Sequence, residues 1–150
     1  MHRAIELAVE NVEQGRGGPF AAIVVRDGKV IAEGTNLVTS ANDPTAHAEI
    51  VAIRKACSTL GTFQLTGCDL YATCEPCPMC LGAIYWARIQ RLYFAATAAD
   101  AAAAGFDDSF ICDQLQLRPS ERRIPALQIM HQAALAAFAA WLSKPDRVPY

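Results

Sequence analysis

No stretch of this 150-residue sequence stays apolar for the ~18 residues a membrane-spanning helix requires. It has no excess of positive charge either: 13 Lys and Arg stand against 15 Asp and Glu, for a formal net charge of −2. Phosphate recognition needs clustered cations, so the balance argues against a nucleic-acid partner and against a polybasic membrane anchor. An export signal is missing as well. Glu6, Glu10 and Glu13 interrupt the opening MHRAIELAVENVEQG, where Ile5, Ala8, Val9 and Val12 trace one helical face instead. The expected setting is therefore the cytoplasm, and the six cysteines read as thiols, not as a disulfide framework. With 53% hydrophobic and 19% charged residues the chain has ample apolar surface to fold. It contains no internal repeat and no linker, so residues 1–150 read as a single domain.

Elements follow from periodicity and punctuation. Gly15-Arg16-Gly17-Gly18-Pro19 stops the first helix. Phe20 to Val25 is a β-branched run, Asp27-Gly28 a tight hairpin signal, and Val30 to Ala32 the returning strand. A second helix is expected from Ala46 to Leu60, with Ile50, Ile53, Cys57 and Leu60 on its buried face and Gly61 as its left-handed terminator. Cys68 to Thr73 reads as a strand, Cys77 to Ala87 as a helix, Leu92 to Ala95 as a strand, and Thr97 to Ala104 as helix. Ile111 to Leu117 stays open between helix and loop. Ala126 to Met130 is expected as a strand, and Gln132 to Leu142 as a helix with Leu135, Phe138 and Trp141 on one side. Strands alternating with helices imply an α/β fold, a three-layer α/β/α sandwich. The opening hairpin makes its central sheet mixed.

The chemistry gathers in two places: His47-Ala48-Glu49, and Pro76-Cys77-Pro78-Met79-Cys80. A Cys-x-x-Cys opening a helix puts both sulfurs on one face, because three residues turn the helix by about 300°. Two thiolates and an imidazole are three ligands for Zn²⁺, with a fourth tetrahedral position open for water as in a catalytic site. His47 and Glu49 diverge in mid-helix, yet from a first turn both side chains reach a site off the helix end. Helix N-termini aimed there would restore positive potential that two thiolates remove. Glu49, close but not ligated, is then the proton carrier. The rivals are a redox Cys-x-x-Cys, an iron–sulfur run through Cys74, Cys77 and Cys80, and a closed structural zinc with Cys74 as fourth ligand. The iron–sulfur run lacks its fourth cysteine, since position 84 is Ile84. Neither a redox pair nor a structural zinc needs Glu49.

His-x-Glu followed by Pro-Cys-x-x-Cys resembles the zinc-dependent nucleobase and nucleoside deaminases. Within that superfamily the chain is similar to the small, cytidine-deaminase-like guanine deaminases of bacteria. The matching stretches are Gly17-Gly18-Pro19-Phe20, Asp43 to Glu49, Cys74 to Arg88 and Ala104 to Phe110. The Tyr85-Trp86-Ala87-Arg88 and Gly105-Phe106-Asp107-Asp108 pieces carry the narrower likeness. It implies a cytidine-deaminase-like fold, Zn²⁺ on His47, Cys77 and Cys80, and Glu49 shuttling protons. Asn36 and Asp108 would hydrogen-bond the purine, which Phe20 and Trp86 help to enclose. The implied reaction is hydrolysis of guanine to xanthine and ammonia, in purine catabolism or salvage.

Plainer roles stand beside these. Asp107, Asp108 and Ser109 are also a helix cap in pattern, Asn36 a turn residue, and Trp86 a core or interface residue. The alternatives to guanine are a tRNA adenosine deaminase, a cytosine or nucleoside deaminase, and a non-catalytic zinc-stabilised binding module. From Ser143 onward Pro145 and Pro149 end helical continuation. The resemblance implies that residues 143–150 form an arm exchanged in a homodimer, with Tyr150 closing the pocket of the other subunit.

Overall fold

A computed structural model describes residues 1–150, which fall into two compact units, Met1–Asp108 and Ser109–Tyr150. In the first, β1 (Ala21–Arg26) and β2 (Lys29–Thr35) form an antiparallel hairpin. Asp27 and Gly28 both have positive φ, 51° and 72°, as the two-residue turn matching strand twist demands. β3 (Cys68–Cys74) pairs antiparallel with β1, and β4 (Arg91–Ala96) pairs parallel with β3. The strand order is β2-β1-β3-β4, a mixed sheet.

Alternation along β1 divides the core into two. Ala21 and Ile23 meet Ala4, Leu7 and Ala8 of α1 (His2–Glu13) on one face. Ala22 and Val24 meet Ala48, Ala52, Ile53 and Ala56 of α3 (Ala48–Leu60) and Ile84 of α4 (Pro78–Trp86) on the other. The result is the α/β/α sandwich. Gly34 lets α3 settle onto β2: a Cβ there would sit 2.3 Å from the Ala48 carbonyl oxygen and 2.5 Å from the Ala52 nitrogen. Gly61 ends α3 in the left-handed region, φ 63°, donating to the carbonyls of Cys57 and Ser58.

Several expectations need correcting. Of the helical face traced by Ile5, Ala8, Val9 and Val12, α1 buries Ala8 and leaves the other three exposed; its inner stripe is Ala4, Leu7, Ala8 and Asn11. Small residues allow the helix to lie close on β1, and the bulkier stripe is left over a groove beside Thr73, Ala95 and Ala96. α3 and α4 start later than their sequence patterns suggest, because His47 and Cys77 are N-caps with extended backbone and not helical residues. A one-turn helix, α2 (Val38–Ala41), follows β2 unannounced. α5 (Ala98–Ala103) has a capping box in which Thr97 and Asp100 exchange hydrogen bonds.

The second unit holds α6 (Ser109–Gln116), a 3₁₀ turn at Pro119–Glu121, and α7 (His131–Ser143). Ala126 to Met130 is not a strand. It has no regular structure, and β4, paired with β3, is the edge of the sheet. Not one residue from 109 to 150 is buried. No helix of the chain is long and apolar enough to cross a membrane.

Candidate active site

Both metal-binding motifs sit where helices begin. His47 caps α3 and Cys77 caps α4, with Pro78 at the first helical position of α4, where a missing N–H costs nothing. His47 Nδ1 lies 3.6 Å from Cys77 Sγ and 3.6 Å from Cys80 Sγ, and the three donor atoms are all within 4.8 Å of one another. Around a tetrahedral zinc, Zn–S of ~2.3 Å and Zn–N of ~2.0–2.1 Å put nitrogen and sulfur about 3.5–3.6 Å apart. The observed spacing fits that ion. Cys80 is fully buried, whereas His47 and Cys77 are half-buried toward the cavity.

The electrostatics single out Cys77 as the thiolate of the donor set. A hydrogen bond from the Cys80 thiol, helped by one from His47, holds Cys77 below the usual thiol range. Cys80, the donor of that bond and itself buried, is pushed up. His47 is raised, first by its hydrogen bond to Cys77. Glu49 is 7% exposed, and burial raises its carboxyl above the ordinary range although Cys80 and its own amide hydrogen-bond to it. It lines the cavity without joining the three-donor cluster. Cys74 is not a ligand, for its Sγ is 3.5 Å from the Thr97 carbonyl oxygen and outside the cluster. The fourth sulfur of a closed zinc site is thus absent.

The cavity these groups open into has a volume of about 260 Å³. Of the residues singled out from sequence, it brings together His47, Cys77, Glu49, Asn36, Asp108 and Phe20. It does not bring in Trp86, which is 65% exposed at the end of α4. Tyr150 belongs to the second unit and is 72% exposed. Phe106 is the wall residue that sequence reasoning missed: its ring meets Phe20 edge-on, centroids 4.9 Å apart at 85°. It stands within the Gly105-Phe106-Asp107-Asp108 piece of the family likeness, but no role is attached to its ring there.

Asn36 is buried, and its Oδ1 accepts from the amides of Gly18 (3.2 Å) and Val38 (3.3 Å). Behind it lies Asn11 of α1, fully buried, whose Nδ2 donates to the Gly18 carbonyl (3.0 Å) and the Asn36 carbonyl (2.9 Å). Asn11 Oδ1 is buried without a partner. Two such bonds contribute about 1 kcal/mol each, and an orphaned buried acceptor costs about 1–3 kcal/mol. Asn11 therefore adds little net stability.

A zinc triad at two helix starts beside a buried glutamate, carried on a mixed sheet, is the layout of a hydrolytic deaminase. Residues 1–96 match the family described as the cytidine and deoxycytidylate deaminase zinc-binding region, and the chain belongs to it, a zinc enzyme of the deaminase class. The particular likeness is narrower. The chain is 54% identical over all 150 of its residues, and 96% of the other protein, to guanine deaminase from Bacillus subtilis. The X-ray structure of guanine deaminase from Bacillus subtilis superimposes with a TM-score of 0.97 at 54% identity, covering 99% of this chain and 95% of that one. A tRNA-specific adenosine deaminase from Agrobacterium fabrum is 55% identical over 78 residues, 52% of this chain and 51% of that protein.

Proposed function

We propose that this chain hydrolyses guanine to xanthine and ammonia, with Zn²⁺ held by His47, Cys77 and Cys80. The observation that carries the reading is the extent of the likeness to guanine deaminase, which runs the full chain at 54% identity, where tRNA-specific adenosine deaminases match between 52% and 72% of it. When bound, zinc supplies Lewis acidity that makes a water acidic near neutral pH. Glu49 takes the proton of the attacking water, whose oxygen bonds to C2 of the purine. It passes that proton to ring nitrogen N3 and then carries the remaining hydroxyl proton to the amine, so that the C2–N bond breaks, the C2 carbonyl forms and ammonia leaves. A buried carboxyl with a raised affinity for protons suits both halves of that transfer.

Selection falls to Asn36 and Asp108. Guanine offers two donors, N1–H and the 2-amino group, where adenine offers an acceptor at N1. The Asp108 carboxylate complements the donors and repels the bare acceptor. Phe20 and Phe106 close one side of the base. A net charge of −2 suits a free base better than a tRNA. Six cysteines without a disulfide among them suit a cytoplasmic setting.

The same reading makes the protein a homodimer that exchanges its C-terminal region. Residues 109–150 bury nothing, and Ile124, Leu127, Ile129 and Met130 are each more than 70% exposed. Apolar surface of that extent belongs against a second copy. In that dimer Tyr150 of one subunit covers the cavity of the other, while Trp86 serves the interface or the substrate wall.

Ammonia release from zinc-replete protein, offered guanine, adenine, cytosine, cytidine, adenosine and a wobble-adenosine tRNA stem-loop in turn, tests the reading. Turnover is expected on guanine. Turnover confined to the stem-loop would install the tRNA reading, and none on any substrate would leave a zinc-stabilised binding module.

A further inference from the structure

We propose that Asn11 of α1 is a positioning residue for Asn36: it clamps the Gly18 and Asn36 backbones together so that the Asn36 amide can present only its Nδ2 donor to the cavity. The proposal rests on the reading of Asn36 as a purine contact.

An asparagine amide offers a carbonyl and an NH₂ that are nearly equal in shape, so its direction is set by its surroundings. Here the surroundings are two backbone N–H groups, from Gly18 and Val38, both aimed at Oδ1. Reversing the amide would set NH₂ against two donors. Oδ1 is thereby held inward, and Nδ2, which has no partner within the protein, is the atom left for the cavity that Asn36 lines. A pure donor at that position accepts only the acceptor atoms of a base, opposite in sense to the Asp108 carboxylate.

This arrangement depends on Gly18 keeping its place beside Asn36, and Asn11 sets that distance. One Nδ2 hydrogen goes to the Gly18 carbonyl and the other to the Asn36 carbonyl, so a single side chain spans both strands of the loop pair. Gly17 makes the approach possible, since a Cβ there would stand 2.1 Å from the Asn36 carbonyl oxygen. The orphaned Asn11 Oδ1 offsets the stabilisation that its two donated bonds contribute. Its two donors define a register between loops, and the register defines which end of Asn36 faces the substrate.

The test is a double-mutant cycle on the zinc-replete, full-length protein. Asn11→Leu keeps the volume and removes both donors. It is expected to keep the zinc content and circular dichroism of the wild type and to lose about tenfold in kcat/KM on guanine, mainly through KM. In a background already carrying Asn36→Ala it should cost nothing more, because there is no amide left to orient. Losses that multiply instead would make Asn11 a general structural residue and overturn the proposal, as would wild-type kinetics in Asn11→Leu. If Asn11→Leu does not fold, Asn11→Ser keeps one donor and is read by the same cycle. A second readout is independent of guanine: the side-chain amide resonances of Asn36, assigned by their loss in Asn36→Ala. One sharp pair is expected in the wild type and a broadened or doubled pair in the Asn11 variant; an unchanged pair contradicts the clamp. A wild type inactive on guanine would sink the substrate reading while these resonances still decide the clamp.

Discussion

Residues 1–108 and 109–150 use their apolar side chains in opposite ways. The first unit buries Leu65, Leu70, Val24 and Cys68 almost completely between sheet and helices, and it holds every donor of the zinc cluster together with Glu49. The second has helices of ordinary length and no buried residue, with Phe138 at 66% and Leu127 at 85% exposure. A core built from alternating strand residues is self-sufficient within one chain. A helix such as α7, apolar on most sides and carrying Trp141 and Phe138, needs a surface from elsewhere. The zinc donors and the buried core are thus local to the first unit, while the second leaves its apolar side chains exposed.

The sharpest way to break that division is at the metal. Cys80→Ser replaces a buried thiolate in the three-donor cluster, so zinc should be lost and turnover should fall below detection. Metal analysis and ammonia release check both, and an active zinc-free variant would refute the site. Next in size is Asp108→Ala, at the boundary of the two units. Losing a charge-assisted contact of about 1.5–3 kcal/mol should lower kcat/KM on guanine about 10- to 150-fold with zinc intact. A drop in Tm with normal kinetics of the folded fraction would show a helix cap instead. Removing residues 146–150 tests the second unit. About a tenfold fall in activity is expected, the worth of one lost contact over the cavity. Full activity would make the arm a bystander. The smallest effect belongs to Gly34→Ala, whose Cβ would collide with the backbone of α3. A cost of about 1–3 kcal/mol, seen as a Tm lowered by several degrees, should accompany a modest loss of kcat as α3 shifts under Glu49.

Legibility in the sequence followed the same boundary. Asp27-Gly28, Gly61 and the His-x-Glu and Pro-Cys-x-x-Cys pairs are local signals, because turn geometry, helix termination and metal ligation each act over a few residues. They placed the hairpin, the end of α3 and the zinc cluster. Phe106 stood in a matching stretch, but its role as a wall was not legible because its partner Phe20 is far away in sequence and only the fold unites them. Asn11 was invisible for a different reason: a polar residue in an amphipathic helix reads as solvent-facing, and only burial shows otherwise. Ala126 to Met130 has the apolar pattern of a strand without a neighbour to pair with, and pattern alone does not supply one. Ile5, Ala8, Val9 and Val12 share a helical face as their spacing implies, yet only Ala8 is buried, for periodicity finds apolar faces without telling which is inside.

The central claim is that Glu49 moves protons for guanine hydrolysis and does not hold the metal. Glu49→Gln, purified beside the wild type with zinc and xanthine production measured on the same samples, tests it most directly. The account predicts equal zinc in both proteins, xanthine from the wild type, and a rate at least ~10²–10⁴-fold lower in the variant. Undiminished xanthine production by a zinc-replete Glu49→Gln protein, or loss of its zinc, would contradict it.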